Sequence, residues 1–141
     1  GEEILKSFSR AYGLQTVAFR LMGVVYQHRP TGWFNPPDRP PADPDHRGGP
    51  IGTTWQYVDA RDVAGACALA LVAENLEPFE AFYLATATTL DEETGEVIAR
   101  CCPDLKEMAA NIKGFDGMIS IEKARRKLGF TPRYSWRKPT A

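Results

Sequence analysis

The stretch Trp55-Gln-Tyr-Val-Asp-Ala-Arg-Asp-Val-Ala-Gly-Ala-Cys-Ala-Leu-Ala-Leu-Val-Ala-Glu74 changes period partway along. Trp55, Tyr57 and Asp59 alternate with Gln56 and Val58, as the two faces of a strand do. From Asp62 onward the apolar residues Val63, Ala66, Cys67, Ala70 and Leu71 recur at three- and four-residue spacing, which predicts one face of a helix. A strand running straight into a helix is therefore expected, with Asp59 or Asp62 capping the free N–H groups of the first turn. The small residues Ala64, Gly65, Ala66, Ala68 and Ala70 let that helix approach a neighbour closely.

Upstream, Ile4, Leu5, Phe8 and Ala11 fall at helical spacing and Tyr12-Gly13 supplies a left-handed stop. Glu2 and Lys6 are placed to pair across one helical turn. Thr16 to Tyr26 is β-branched, aromatic and apolar on both faces except at Arg20, the pattern of a strand covered on both sides in a parallel sheet. Between 26 and 53 the pattern collapses. Seven of the eleven prolines lie from Pro30 to Pro50, with glycines at 32, 48, 49 and 52, so a long irregular loop is expected. Trp33 and Phe34 within it are either an anchor on the core or a ligand or partner contact.

Downstream, Ala81 to Thr86 is a second buried strand. Thr89 and Glu92 have the spacing of a capping box, opening a helix through Val97, Ile98 and Cys101 that ends at Pro103; Asp91, Glu92 and Glu93 suit its positive end. Ser120 is placed to cap Ile121–Leu128 and Gly129 to close it. Lys123, Arg125, Arg126 and Lys127 near that helix's end form either a solvated basic face or, less simply, a phosphate site. Strands alternating with helices give an α/β fold in one domain spanning 1–141.

The 141 residues are 43% hydrophobic and 25% charged, with a formal net charge of -1. So even a balance offers no electrostatic footprint for nucleic acid or an anionic membrane. The absence of a long apolar run or a leader-like opening leads to the expectation of a cytoplasmic protein. Cys67 is expected as a small buried hydrophobe, and the adjacent Cys101 and Cys102 lack the spaced partners of a zinc site. His28 and His46 stand far apart without a Cys or carboxylate cluster, so no metal site is expected.

Gly1–Leu21, Tyr57–Ala64, Phe82–Thr86 and Ile121-Glu-Lys-Ala-Arg-Arg-Lys-Leu-Gly-Phe-Thr-Pro132 together resemble the C-terminal half of the NAD-dependent epimerase/dehydratase family, the extended short-chain dehydrogenases/reductases. The resemblance implies the last parallel strands of a Rossmann-type sheet plus a small C-terminal substrate-binding lobe. It places Leu21, Met22, Gly23 and Val24 beside the nicotinamide of NAD or NADP, and His28 and Trp55 towards a small-molecule substrate, possibly a sugar nucleotide. Gly23 stands where the family commonly has Asn, and Trp55 where nucleotide-sugar members often have a phosphate-binding Arg. No glycine-rich cofactor fingerprint occurs in these residues, and the resemblance leads to the expectation that the N-terminal NAD-binding part that carries it is not among them. Tyr12 is followed four residues on by Thr16, not by the Lys of the family's Tyr-x-x-x-Lys pair, so no catalytic residue is assigned. Two readings follow. One is a substrate-binding part of an epimerase-, dehydratase- or reductase-like protein, not catalytic and binding no cofactor alone; the other is a stand-alone binding or interaction domain derived from that family. In either, the apolar face of the first helix leads to the expectation of a homo-oligomer.

Overall fold

In a computed structural model of the chain, residues 1–25, 55–90, 92–135 and 137 are described. The proline-rich stretch with Trp33, Phe34, His28 and His46 lies outside them. Helix α1 (Glu2–Tyr12) leads into strands β1 (Thr16–Leu21) and β2 (Gly23–Val25). After them come β3 (Tyr57–Asp59), α2 (Ala60–Val72) and β4 (Phe79–Leu84). Helix α3 (Thr94–Cys101), a 3-10 turn (Pro103–Leu105), α4 (Lys106–Ala109) and α5 (Glu122–Leu128) complete the order.

The fold is α/β with parallel strands. β1 pairs with β4 in parallel from Thr16↔Phe79 to Leu21↔Leu84, and β2 pairs with β3 in parallel from Gly23↔Tyr57 to Val25↔Asp59. The single strand expected over Thr16–Tyr26 is thus two, broken at Met22. The reason is a change of partner. Met22 N–H still donates to the Leu84 carbonyl at 3.3 Å, but beyond Leu84 the β4 chain turns away, and Thr86 N–H donates to the Tyr57 carbonyl at 2.7 Å. The second strand likewise runs Phe79–Leu84 rather than Ala81–Thr86, because Thr86 is drawn to β3.

The core sits on one face of β1 and β4, where Glu80, Phe82 and Leu84 are buried beside Val17 and Phe19 and are covered by Ala66 of α2, Ala124 and Leu128 of α5, and Phe130. The opposite face meets α1 only in part: Lys6 lies over the Phe79 ring and Arg20 over Tyr83, at 5.2 and 5.1 Å from the ring centres. Complete cover on both sides of β1 is therefore not found; Arg20 and Leu21 are exposed. Glu2 does not pair with Lys6. It holds Arg20 of β1 through two 2.7 Å hydrogen bonds, while Lys6 takes Glu3 at 2.6 Å, so the first turn of α1 is stitched to the sheet through Glu2 and to its own next turn through Glu3.

Helix ends obey local chemistry where the sheet does not interfere. Gly13 and Gly129 close α1 and α5 in the left-handed region, with φ of 65° and 69°. Ser120 Oγ accepts the Glu122 N–H at 3.2 Å at the start of α5. The Thr89–Glu92 box does not form. Thr89 N–H donates to the Trp55 carbonyl and Thr88 N–H to the Phe115 carbonyl, both at 2.9 Å, which holds this segment against β3, so α3 starts only at Thr94. Glu92 instead makes a two-pronged pair with Arg100 at 2.8 Å.

Candidate functional site

The Trp55–Asp62 stretch is built by a run of hydrogen bonds that each use one residue's chemistry. Asp59 is the N-cap of α2: its Oδ1 accepts the Arg61 N–H at 2.9 Å and Nε–H at 2.8 Å, and its Oδ2 accepts Nη2–H at 2.9 Å. The Arg61 guanidinium beside it holds the Asp59 carboxyl below the ordinary aspartate range, against the opposing pull of burial. Arg61 in turn lies over the Tyr134 ring, 3.7 Å from its centre. Buried Asp62 is not a cap. Its carboxylate accepts the backbone N–H groups of Arg133 and Tyr134 at 2.9 and 3.2 Å and so fastens the C-terminal segment to α2.

All three residues of β3 are buried, so the alternation expected from Trp55 to Asp59 is absent: β2 and the segment after β4 enclose the strand on both edges, and packing covers both faces. On α2 the core face is Val63, Ala66, Leu69, Ala70 and Ala73. Cys67, expected in the core, is exposed, and Leu71 is 87% exposed. The helix starts at Ala60, and contact with β3 and α5 turns the buried stripe towards Leu69, away from Cys67 and Leu71.

Behind Trp55, the buried Gln56 amide exchanges two hydrogen bonds with Ile119, donating to its carbonyl at 3.2 Å and accepting its N–H at 2.8 Å. Gly117 is required beside it, since a Cβ there would stand 1.9 Å from the Gln56 side chain. Arg137 donates to the carbonyls of Thr88, at 2.6 Å, and Leu90, and lies over the Phe115 ring. The sequence reading missed Gln56, Gly117 and Arg137. An isolated glycine at 117 is the one signal that could have suggested a close approach; nothing local marks Arg137.

The residues singled out for cofactor fall where β1 gives way to β2. Leu21 is 41% exposed at the carboxyl end of β1, Met22 is half-buried, Gly23 is exposed, and Val24 packs against the core. Gly23 pairs with Tyr57, two residues from Trp55, so the nicotinamide and substrate candidates are brought to one region. Trp55 is half-buried with φ 48°, the one non-glycine residue at positive φ among those described. A bulky residue in that region carries about 1–3 kcal/mol of strain, which functional sites commonly hold. His28 lies outside the described residues. Leu21, Met22, Gly23, Val24 and Trp55 include no titratable group, so this constellation can bind and exclude water but cannot move a proton. Among the described residues no group of three His, Cys, Asp or Glu side chains is placed to hold a metal ion, and no helix is long and apolar enough to cross a membrane.

The basic residues of α5 are divided. Lys123, which is exposed, and half-buried Lys127 are not free for phosphate, because both pair with buried Glu80, at 2.5 and 2.9 Å. Burial alone would raise the Glu80 pKa, but hydrogen bonds from the two ammonium groups and from Glu77 N–H outweigh it and pull it down to about 2. Arg125 and Arg126 remain exposed.

No protein-family profile matches the chain, and no curated protein does. Among solved structures it matches a UDP-glucose 4-epimerase from Thermotoga maritima, determined with UDP-glucose, at 21% identity and a TM-score of 0.48. The match covers 95% of this chain and 46% of the epimerase, so the chain spans about half the length of that protein.

Proposed function

We propose that the chain is the substrate-binding C-terminal part of an NAD(P)-dependent epimerase-, dehydratase- or reductase-like protein, and that it performs no turnover by itself. The observation that carries this reading is the junction at Met22, where the carboxyl end of one parallel strand pair meets the start of the next and leaves Leu21 and Gly23 open to solvent beside Trp55. Ligands of open α/β sheets bind outside the carboxyl ends of the strands. In this reading Leu21, Met22, Gly23 and Val24 line the nicotinamide side and Trp55 and His28 the substrate side. NAD or NADP is bound only together with a dinucleotide-binding part carrying the glycine-rich loop and the acid/base pair. An indole at 55 in place of a guanidinium favours a stacked ring over a bare phosphate as the nearest ligand group.

The test is an assay of the purified chain with NAD(H), NADP(H) and a panel of sugar nucleotides. No hydride transfer or epimerisation is expected, and measurable turnover by these residues alone would end the proposal.

A second reading, a non-catalytic interaction domain, is favoured by α1. Ile4 and Phe8 are 60% and 47% exposed, and Tyr12, 69% exposed, stacks its ring 5.3 Å from that of Phe8 in the same stripe. Burying side chains of this size is worth roughly 1.5–3 kcal/mol each. Among the described residues β1 hydrogen-bonds to β4 alone, leaving a strand edge beside that helix. A second copy of the chain is the simplest cover for both, and a homo-oligomer is compatible with either reading.

A further inference from the structure

We infer that Arg137 is a positioning residue for the Trp55 indole, acting through the segment that holds Trp55 in its strained conformation. This rests on the reading of Trp55 as a ligand contact and names the residue that sets its direction. A tryptophan at φ 48° stays there only where its surroundings hold it. Here the Trp55 carbonyl accepts the Thr89 N–H at 2.9 Å, and the next residue, Gln56, forms an antiparallel bridge with Thr88. Trp55 is thus held as firmly as Thr88 and Thr89 are.

Those two residues are gripped from the C-terminal segment. The Arg137 guanidinium donates through Nη1 to the Thr88 carbonyl at 2.6 Å and through Nη2 to the Leu90 carbonyl, so its fork takes the carbonyls of the residues on either side of Thr89. A planar two-pronged donor fixes direction as well as distance, which a point charge does not. Phe115 closes the clamp twice over: its carbonyl accepts the Thr88 N–H at 2.9 Å, and the centre of its ring lies 3.9 Å from the guanidinium carbon. Arg137 is itself set by its backbone N–H, which donates to Ser135 Oγ at 3.1 Å, just beyond the two amides that Asp62 holds. The contacts therefore run from α2 through the C-terminal segment to Thr88–Leu90 and on to Trp55. Without the fork the Thr89 N–H loses its fixed direction, Trp55 is released to negative φ, and the indole turns with its Cβ.

The experiment compares heteronuclear NMR spectra of the natural chain, Arg137→Ala and Arg137→Lys, first without ligand and then with UDP-glucose. Arg137→Ala should move the Trp55 amide and indole signals while those of α1 stay in place; added methylguanidinium should return them and methylammonium should not. Arg137→Lys, which keeps the charge but not the fork, should move them as well. Affinity for UDP-glucose should fall roughly tenfold in both variants, since the strain held at Trp55 then opposes the binding conformation, and should recover with methylguanidinium in Arg137→Ala. Trp55 signals that stay put in either variant would overturn the positioning role. So would equal rescue by methylammonium, or shifts spread as widely over α1 and β1 as at Trp55, since Arg137 would then serve stability alone. Trp55 signals that move and are rescued, in a chain that binds no UDP-glucose even in its natural form, would leave the hold of Arg137 on Trp55 standing and end the reading of Trp55 as a ligand contact.

Discussion

Strand β3 with the start of α2 is tied on both edges and at its cap, whereas the helix α1 is tied on one side only. Asp59 and Asp62 between them hold three backbone N–H groups and one guanidinium, and β3 is buried throughout. Helix α1 is stitched to the sheet by Glu2–Arg20 but leaves Ile4, Phe8 and Tyr12 in solvent. Polar groups with fixed partners mark where this chain completes its own fold; the uncovered apolar stripe of α1 is where the proposed second copy would sit.

The strongest way to break the contrast lies behind β3. Gly117→Ala should force the Gln56 amide off Ile119, costing overpacking strain and two buried hydrogen bonds, about 3–4 kcal/mol in all. Chemical denaturation measures it, and a loss below ~1 kcal/mol would show that the Gln56 side chain moves aside freely.

Almost as large is the acid dependence of Glu80. Its folded pKa lies below that of the unfolded chain, so its contribution is present in full above the ordinary glutamate value of 4.5 and is lost as pH falls towards about 2. At ~1.4 kcal/mol for each pH unit of displacement, this amounts to about 3 kcal/mol. Denaturation midpoints across that window should fall in the natural chain, and should fall less in Glu80→Gln.

Asp62→Ala should cost about 1–2 kcal/mol, less than the others because Arg133 and Tyr134 can turn their amides to water. Hydrogen exchange should quicken at those two amides specifically. Phe8→Asp has the smallest expected effect on folding, within about 0.5 kcal/mol for a side chain already 47% exposed. Light scattering should nevertheless show it shifting an oligomer towards monomer, and a natural chain already monomeric at micromolar concentration would show that α1 needs no cover.

Much of the fold was legible in the sequence because its signals are local. Gly13 and Gly129 stop helices, Asp59 caps α2, and a β-branched and aromatic run marks β1 as an aromatic one marks β4, each through chemistry confined to a few neighbouring residues. What was not legible depends on residues far apart. Thr89 has the letters of a capping box, but its N–H is taken by Trp55, 34 positions earlier. The pairing of Lys123 and Lys127 with Glu80 depends on β4, more than 40 positions earlier. The buried stripe of α2 misses Cys67 and Leu71 because packing with β3 and α5 sets its rotation. The candidate site was less legible still. Leu21 to Val24 were singled out by resemblance, and only the change of strand partner at Met22 gives Leu21 and Gly23 a physical reason to be open.

The most direct test of the central claim is a heteronuclear NMR titration of the natural chain with NAD and UDP-glucose, with the ligands' own signals followed in the same tube. Sugar-nucleotide shifts centred on the Trp55 indole at that junction, with NAD leaving the spectrum unchanged and neither ligand converted, are the predicted result. Shifts elsewhere with that junction silent, or any hydride transfer or epimerised sugar, would contradict it.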